Sequence, residues 1–122
     1  MEKVLLEIGS PPDFQFSVAR TLQSPFPMYA ITFDIDTNCL NEHYHGNNVP
    51  NAYGDIRKFM EANEFDWMQG SVYFGKETID AVKCVLTIQK LANLYPWFST
   101  CVRDVRMLRI EENNDLKPAI GI

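Results

Sequence analysis

No stretch of this chain approaches the ~20 consecutive apolar residues that span a bilayer. Its first apolar scrap, Val4-Leu5-Leu6, is too short for a secretory signal, and no small-residue cleavage pattern follows. Glycine is sparse, and no Gly-rich phosphate loop, dinucleotide fingerprint or nucleophilic triad is present. Positive charge is also in short supply: eleven Lys and Arg stand against sixteen Asp and Glu, a net of −5. Such a chain is not steered to nucleic acid by its overall field, so any RNA contact needs a local basic patch or a bound cation. Cysteine is limited to Cys39, Cys84 and Cys101, widely spaced, odd in number and in no zinc pattern. Free thiols in a reducing cytoplasm is the simple reading. These absences together predict a soluble, cytoplasmic protein without a membrane partner.

What is present argues for a folded domain. Hydrophobic residues make up 46% and aromatics 12% of the chain, too much for disorder. Residues 1–27 look unlike the rest. They hold four of the seven prolines (Pro11, Pro12, Pro25, Pro27) and no sustained period, which is poor material for a sheet or long helix. Met28 reads as the natural start, and 1–27 as an upstream extension or an artificial arm. The alternative is a genuine arm packed on the domain or a neighbouring subunit. The domain itself is placed at 28–122, 95 positions with a net charge of −4. That length is near the low end for a self-sufficient core, so an oligomer that hides more apolar surface would help.

The stretch from Met28 to Asp36 is the most informative. Strand alternation puts Tyr29, Ile31, Phe33 and Ile35 on one face and Ala30, Thr32, Asp34 and Asp36 on the other. Firm burial of four large groups holds the two terminal acids in place. They are either a placed chemical group or a polar strand exit. Thr37 to Pro50, with Asn, Gly and Pro crowding its second half, reads as a loop. Asn51 is then a plausible N-cap for a helix to about Ala62, with Asn63 ending it in a left-handed conformation. Phe65 to Gly75 is aromatic-rich and reads as strand, with Gly70 marking a bulge or a tight turn between two short strands. Lys76 to Tyr95 carries Ile79, Val82 and Leu86 in one row and Ala81, Val85, Ile88, Ala92 and Tyr95 in the next, a wide stripe facing a sheet. Pro96 ends that helix, and Trp97-Phe98 turn back to the core. Arg103 to Glu111 reads as a last strand with apolar groups on both parities, covered on both faces or bulged. Ala119-Ile120 would add a short edge strand. The order β-α-β(β)-α-β predicts an α+β fold: a ferredoxin-like split βαβ antiparallel sheet, two helices on one face, dimerising through the other.

Three segments in order carry a family likeness. Met28-Tyr29-Ala30-Ile31-Thr32-Phe33-Asp34, Trp67-Met68-Gln69-Gly70-Ser71-Val72-Tyr73, and Trp97-Phe98 followed by Val102-Arg103-Asp104-Val105-Arg106 resemble virulence-associated protein D (VapD). The resemblance covers nearly all of 28–113. It implies a bacterial, ferredoxin-like, dimeric or larger endoribonuclease, in some cases the toxin of a toxin–antitoxin pair. The chain is also similar to the small CRISPR-associated endoribonucleases, which carry an aspartate at the end of the first strand and a Gln-x-Ser-Val-(Tyr/Phe) segment. Those positions are Asp34 and Gln69-Gly70-Ser71-Val72-Tyr73 here.

In that light Asp34 becomes the leading catalytic candidate, with Ser71 and Asp104 in support. Phosphodiester hydrolysis needs an activated water and neutralised phosphate charge, and a carboxylate-held Mg²⁺ supplies both. Asp34 is the first candidate ligand and Asp36 the second, roughly 7 Å further along the strand. In the paired arrangement that the family implies, two Asp34 side chains approach across a homodimer. Ser71 either orients a phosphate or is simply small enough for a crowded bend. Arg103 and Arg106 suit phosphate, although a structural ion pair with Asp104 is the plainer reading. Trp67 and Tyr73 offer stacking surfaces for unpaired bases of RNA, or else belong to the core. His43 and His45 are a further acid–base pair, or polar loop surface. The rival to RNA cleavage is a non-catalytic ferredoxin-like dimer that binds nucleic acid or protein; a cognate antitoxin is the other expected partner.

Overall fold

The first strand, β1, runs over Met28–Ile35 and sits inside a four-stranded sheet in a computed structural model that describes residues 27–45 and 48–122. It is followed by α1 (Thr37–His43), α2 (Val49–Ala62), β2 (Phe65–Gln69), β3 (Val72–Gly75), α3 (Ala81–Leu94), α4 (Pro96–Cys101) and β4 (Val102–Ile110). The strand order is β2-β3-β1-β4, and every pairing is antiparallel. That is the predicted α+β ferredoxin-like topology, with β1 and β3 central and the helices on one face. Met28–Ile110 forms one compact unit. The expected 1–27 arm lies outside the described residues.

The core sits between the sheet and the helices. Ile31, Phe33, Ile35 and Tyr73 from the sheet meet Leu40, Ile56, Met60, Leu91 and Phe98 from the helices. Phe33 holds the centre, stacked on Tyr73 at 5.9 Å and edge-on to Phe98 at 5.7 Å. Alternation in β1 therefore sorts its residues as expected, with the odd positions inward.

Several expectations are corrected. Thr37–His43 is helical, not loop: the Asp36 carboxylate caps it by accepting from Cys39 N at 3.1 Å, and Leu40 is fully buried. The second helix starts at Asn48 instead of Asn51, because Pro50 fits its first turn, where the missing donor costs nothing. Asn63 is not left-handed (φ −108°); its amide donates to Phe59 O at 2.8 Å, and Glu64 takes the positive φ of 71°. Residues 70 and 71 make a tight turn between β2 and β3, next to a register irregularity at Trp67/Gln69. Trp97 and Phe98 do turn into the core, and they do so within a short helix begun by Pro96. The α3 stripe is narrower than predicted. Cys84, Thr87 and Leu91 are buried, while Val82 (65% exposed), Val85 (53%) and Leu86 (48%) face outward. One protomer's sheet is wide enough for only one row. For the same reason neither face of β4 is covered along Arg103–Arg109, and an apolar cleft of about 200 Å³ separates α3 from β4 at Val85, Ile88, Val105 and Met107. The tail forms a 3₁₀ turn over Lys117–Ile120, not an edge strand; Pro118 has no N–H to offer a ladder, and Lys117 N donates to Asp115.

The expectation of three free thiols is overturned as well. Cys39 and Cys101 form a disulfide, 62 residues apart in sequence, with Cα atoms 5.4 Å apart. The short helix α1 brings Cys39 against the end of α4. Cys84 alone is free, on the buried side of α3.

Candidate nuclease site at the carboxylate end of the first strand

At the end of β1 the ladder with β4 places Asp34 directly opposite Asp104. Cross-strand partners share a face, so both carboxylates stand on the side of the sheet away from the helices. Asp34 is well exposed (61%). The next pairing is Ile35 with Val102, so Arg103 is an extra residue in β4 at this point. Its guanidinium lies 3.5 Å from Asp34 Oδ2. Arg106 donates from Nε to both Asp104 oxygens, at 2.9 and 3.1 Å. That bond raises the Arg106 pKa above its already high ordinary value. Two like charges in register oppose each other, and the two arginines offset the repulsion. Both ion pairs are open to solvent, so each is weakly held and can be exchanged for an incoming phosphate.

Ser71 reaches the same end of the sheet by another route. Its carbonyl accepts from Phe33 N at 3.2 Å, one residue before Asp34. Its side, however, is the helix side: Ser71 lines a cavity of about 460 Å³ with Tyr53, Gly54, Arg57, Trp67 and Gly70. Asp34, Asp104 and Ser71 thus share one edge but split between its two faces.

Trp67 is 40% exposed at that cavity. Its Nε1 donates to Gly70 O at 2.9 Å, and the Arg57 guanidinium lies 4.3 Å from the ring centroid. Arg57 also pairs with Glu61 at 3.2 Å. Tyr73 is different: it is 3% exposed, and its ring is part of the core against Phe33. Its hydroxyl is pushed up to about 12 by burial, and the residue contributes to the lining of the same cavity. Asp36 is occupied as the cap of α1, and its own N–H donates to Cys101 O at 2.9 Å. His43 Nδ1 lies 3.1 Å from Cys39 O, and the His45 ring tilts against Tyr44 at 4.6 Å; neither contact involves the two carboxylates.

Sequence reasoning missed Arg57 and the Cys39–His43 pair. Their signals were present. Arg57 is four residues after Tyr53 on a helix whose exposed face borders Trp67, and Cys39 and His43 are one helical turn apart. The second signal was hidden because Thr37–His43 was not read as helix.

For a divalent metal, the hard oxygen donors suit Mg²⁺. Asp34 and Asp104 fit as ligands because they are exposed and in register. Asp36 fits less well, since one of its oxygens already serves the helix cap.

The family model described as CRISPR associated protein Cas2 matches residues 27–117. The chain is 67% identical over 94 residues to Endoribonuclease VapD 2 of Riemerella anatipestifer, spanning 77% of this chain and 100% of that protein. It is 65% identical over 95 residues to the Endoribonuclease VapD homolog of Helicobacter pylori (78% and 98%). Endoribonuclease VapD of Dichelobacter nodosus is 37% identical over 90 residues (72% and 91%). These relatives are matched over nearly their whole length. The chain belongs to the VapD family of endoribonucleases.

Proposed function

We propose that this chain is an endoribonuclease that hydrolyses phosphodiester bonds of single-stranded RNA at the Asp34–Asp104 end of its sheet. One observation carries the reading: two carboxylates in cross-strand register on an exposed sheet end, each loosely paired with an arginine. Two like charges in register are compensated here only by ion pairs open to solvent, which leaves the carboxylates available for chemistry. An RNA phosphate competes with the carboxylates for Arg103 and Arg106, whose planar donors suit its oxygens. Once Arg103 turns to the phosphate, the Asp34 carboxylate is free to take a proton from the attacking water. Asp104 keeps Arg106 oriented. Mg²⁺, held by Asp34 and Asp104, would lower the pKa of a bound water and neutralise phosphate charge. Ser71 helps to place the strand of RNA that passes over the β2–β3 turn, and the exposed face of Trp67 is a stacking surface for an unpaired base.

The working unit in this proposal is a homodimer, supported by the uncovered faces of β4 and the exposed Leu108 on the same face as Asp104. Its place is the cytoplasm, with a protein antitoxin covering the open face when cleavage is held off.

The test compares cleavage of a labelled single-stranded RNA by wild type and Asp34→Asn, each with Mg²⁺ and with EDTA. Wild type is expected to cleave and Asp34→Asn to lose about two orders of magnitude or more. Equal cleavage by both refutes the assignment of Asp34. Absence of cleavage by either, at concentrations where the protein is oligomeric, points to the non-catalytic binding module.

A further inference from the structure

The bridge between Cys39 and Cys101 is placed where it bears on the carboxylate end of the sheet. Asp36, two residues after Asp34, donates its N–H to Cys101 O and caps the helix that carries Cys39. Arg103, two residues after Cys101, is the extra residue in β4 that reaches Asp34. A single covalent link therefore closes the far side of the irregularity on which the Asp34–Arg103 contact depends.

The two sulfurs differ in access. Cys101 is buried (2% exposed), whereas Cys39 is partly exposed. Beside Cys39 stands exposed His43, with Nδ1 3.1 Å from Cys39 O and 3.5 Å from its Sγ. A carbonyl only accepts, so Nδ1 carries the hydrogen in this arrangement. Of the two sulfurs, that of partly exposed Cys39 is the one an outside disulfide reaches first. Cys84 has neither feature: it is buried, and burial pushes its thiol up to about 11.

We propose that Cys39 is a site of reversible oxidation by low-molecular-weight disulfides, resolved by Cys101, and that the bridge so formed holds the Asp34–Arg103 end of the sheet in its working geometry. The Cys39 thiolate attacks a small disulfide RSSR, forming a mixed disulfide and releasing one thiolate. The Cys101 thiolate then attacks the Cys39 sulfur and releases the second. The two cysteine protons end on the two departing thiols, so the sum is RSSR + 2 Cys-SH → Cys39–Cys101 disulfide + 2 RSH. The effect on turnover rests on the RNA-cleaving reading above; the chemistry and the geometry do not.

The experiment equilibrates the full chain in mixtures of reduced and oxidised glutathione, quenches with acid, alkylates, and maps the modified cysteines by mass spectrometry. Hydrogen exchange at Asp36 and Val102–Asp104, and cleavage of labelled RNA, are followed in the same mixtures. Expected are a reversible Cys39–Cys101 bridge, Cys84 unmodified, tenfold slower exchange at those amides when oxidised, and fivefold or greater loss of cleavage on reduction. Cys39→Ser should form no bridge and should show the fast exchange and low turnover of the reduced wild type in every mixture. Three results would overturn the proposal. One is a Cys39 that stays reduced at all ratios. Another is exchange that is indifferent to the bridge. The third is one equivalent of Zn²⁺ retained by the reduced protein and lost in both Cys39→Ser and His43→Ala, because the ligating atoms of Cys39, His43 and Cys101 lie within 4.8 Å of one another. A redox-dependent exchange pattern without any RNA cleavage would refute the nuclease reading and leave this one standing.

Discussion

Asp34 on β1 and Asp104 on β4 are direct cross-strand partners, two like charges held side by side on the open face of the sheet. Arg103, the extra residue, pairs with Asp34, and Arg106, a same-face neighbour, pairs with Asp104, so each carboxylate has its own cation.

Asp104→Asn is expected to lower RNA cleavage less than Asp34→Asn does, by about tenfold. Asp104 orients Arg106, and an amide still accepts one of the two hydrogen bonds that the carboxylate takes. Arg106→Gln should raise KM more than it lowers kcat, since it removes a phosphate contact made before the chemical step. Steady-state kinetics on a short labelled RNA separates the two effects. Equal losses of kcat in Asp34→Asn and Arg106→Gln would contradict this division of roles.

Trp67→Ala tests the stacking surface. Loss of one base contact is worth about 1–3 kcal/mol, so single-stranded RNA should bind roughly 5- to 150-fold more weakly. Fluorescence anisotropy in the Asp34→Asn background reads affinity without cleavage. Tyr73 gives no such test, because its ring is part of the core; Tyr73→Ala is expected to unfold the chain before it informs on RNA.

Gly75→Ala should destabilise the fold by about 1–3 kcal/mol. A Cβ at this position would stand 2.7 Å from Cβ and Cγ2 of Ile79, whose side chain is buried against the core. The urea midpoint should fall with an unchanged slope. An unaltered midpoint would mean that the chain between β3 and α3 yields freely.

Alkaline stability should fall between pH 10 and pH 12. The Tyr44 hydroxyl donates to Asp55 Oδ2 at 2.7 Å, and this bond together with burial pushes its pKa from 10.0 up to about 12. Burial does the same to Tyr73. Below pH 10 both phenols are neutral whether the chain is folded or not, and their contribution is complete. Above it the unfolded chain loses protons that the folded chain keeps, so stability declines until the folded values are passed. Denaturant titrations at pH 9, 10.5 and 12 follow the decline. Tyr44→Phe should cost about 1 kcal/mol at neutral pH and flatten part of the alkaline slope.

Much of the fold was legible in local pattern. Alternation in β1 sorted Ile31, Phe33 and Ile35 from Thr32 and Asp34, and the order of elements led to the split βαβ sheet. The two long helices announced themselves by spacing, and three short motifs pointed to the family. Where reading failed, the cause was local chemistry of low amplitude. A seven-residue helix capped by Asp36 has too few turns to show a period, and Pro50 belonged inside a helix instead of before it.

The sequence by itself determined the strands of the sheet, the two long helices, their order and the identities of the charged residues at the ends of β1 and β4, because these depend on side-chain type and on spacings of two to four residues. Only the tertiary structure decided what those residues meet. The register that sets Asp34 against Asp104, the extra residue that carries Arg103 to Asp34, the 62-residue span closed by Cys39 and Cys101, the burial of Tyr73 and the placing of Ser71 on the helix side all join positions far apart in the chain. Such pairings follow from how whole strands and helices pack against one core, and a one-residue slip would send each side chain to the opposite face.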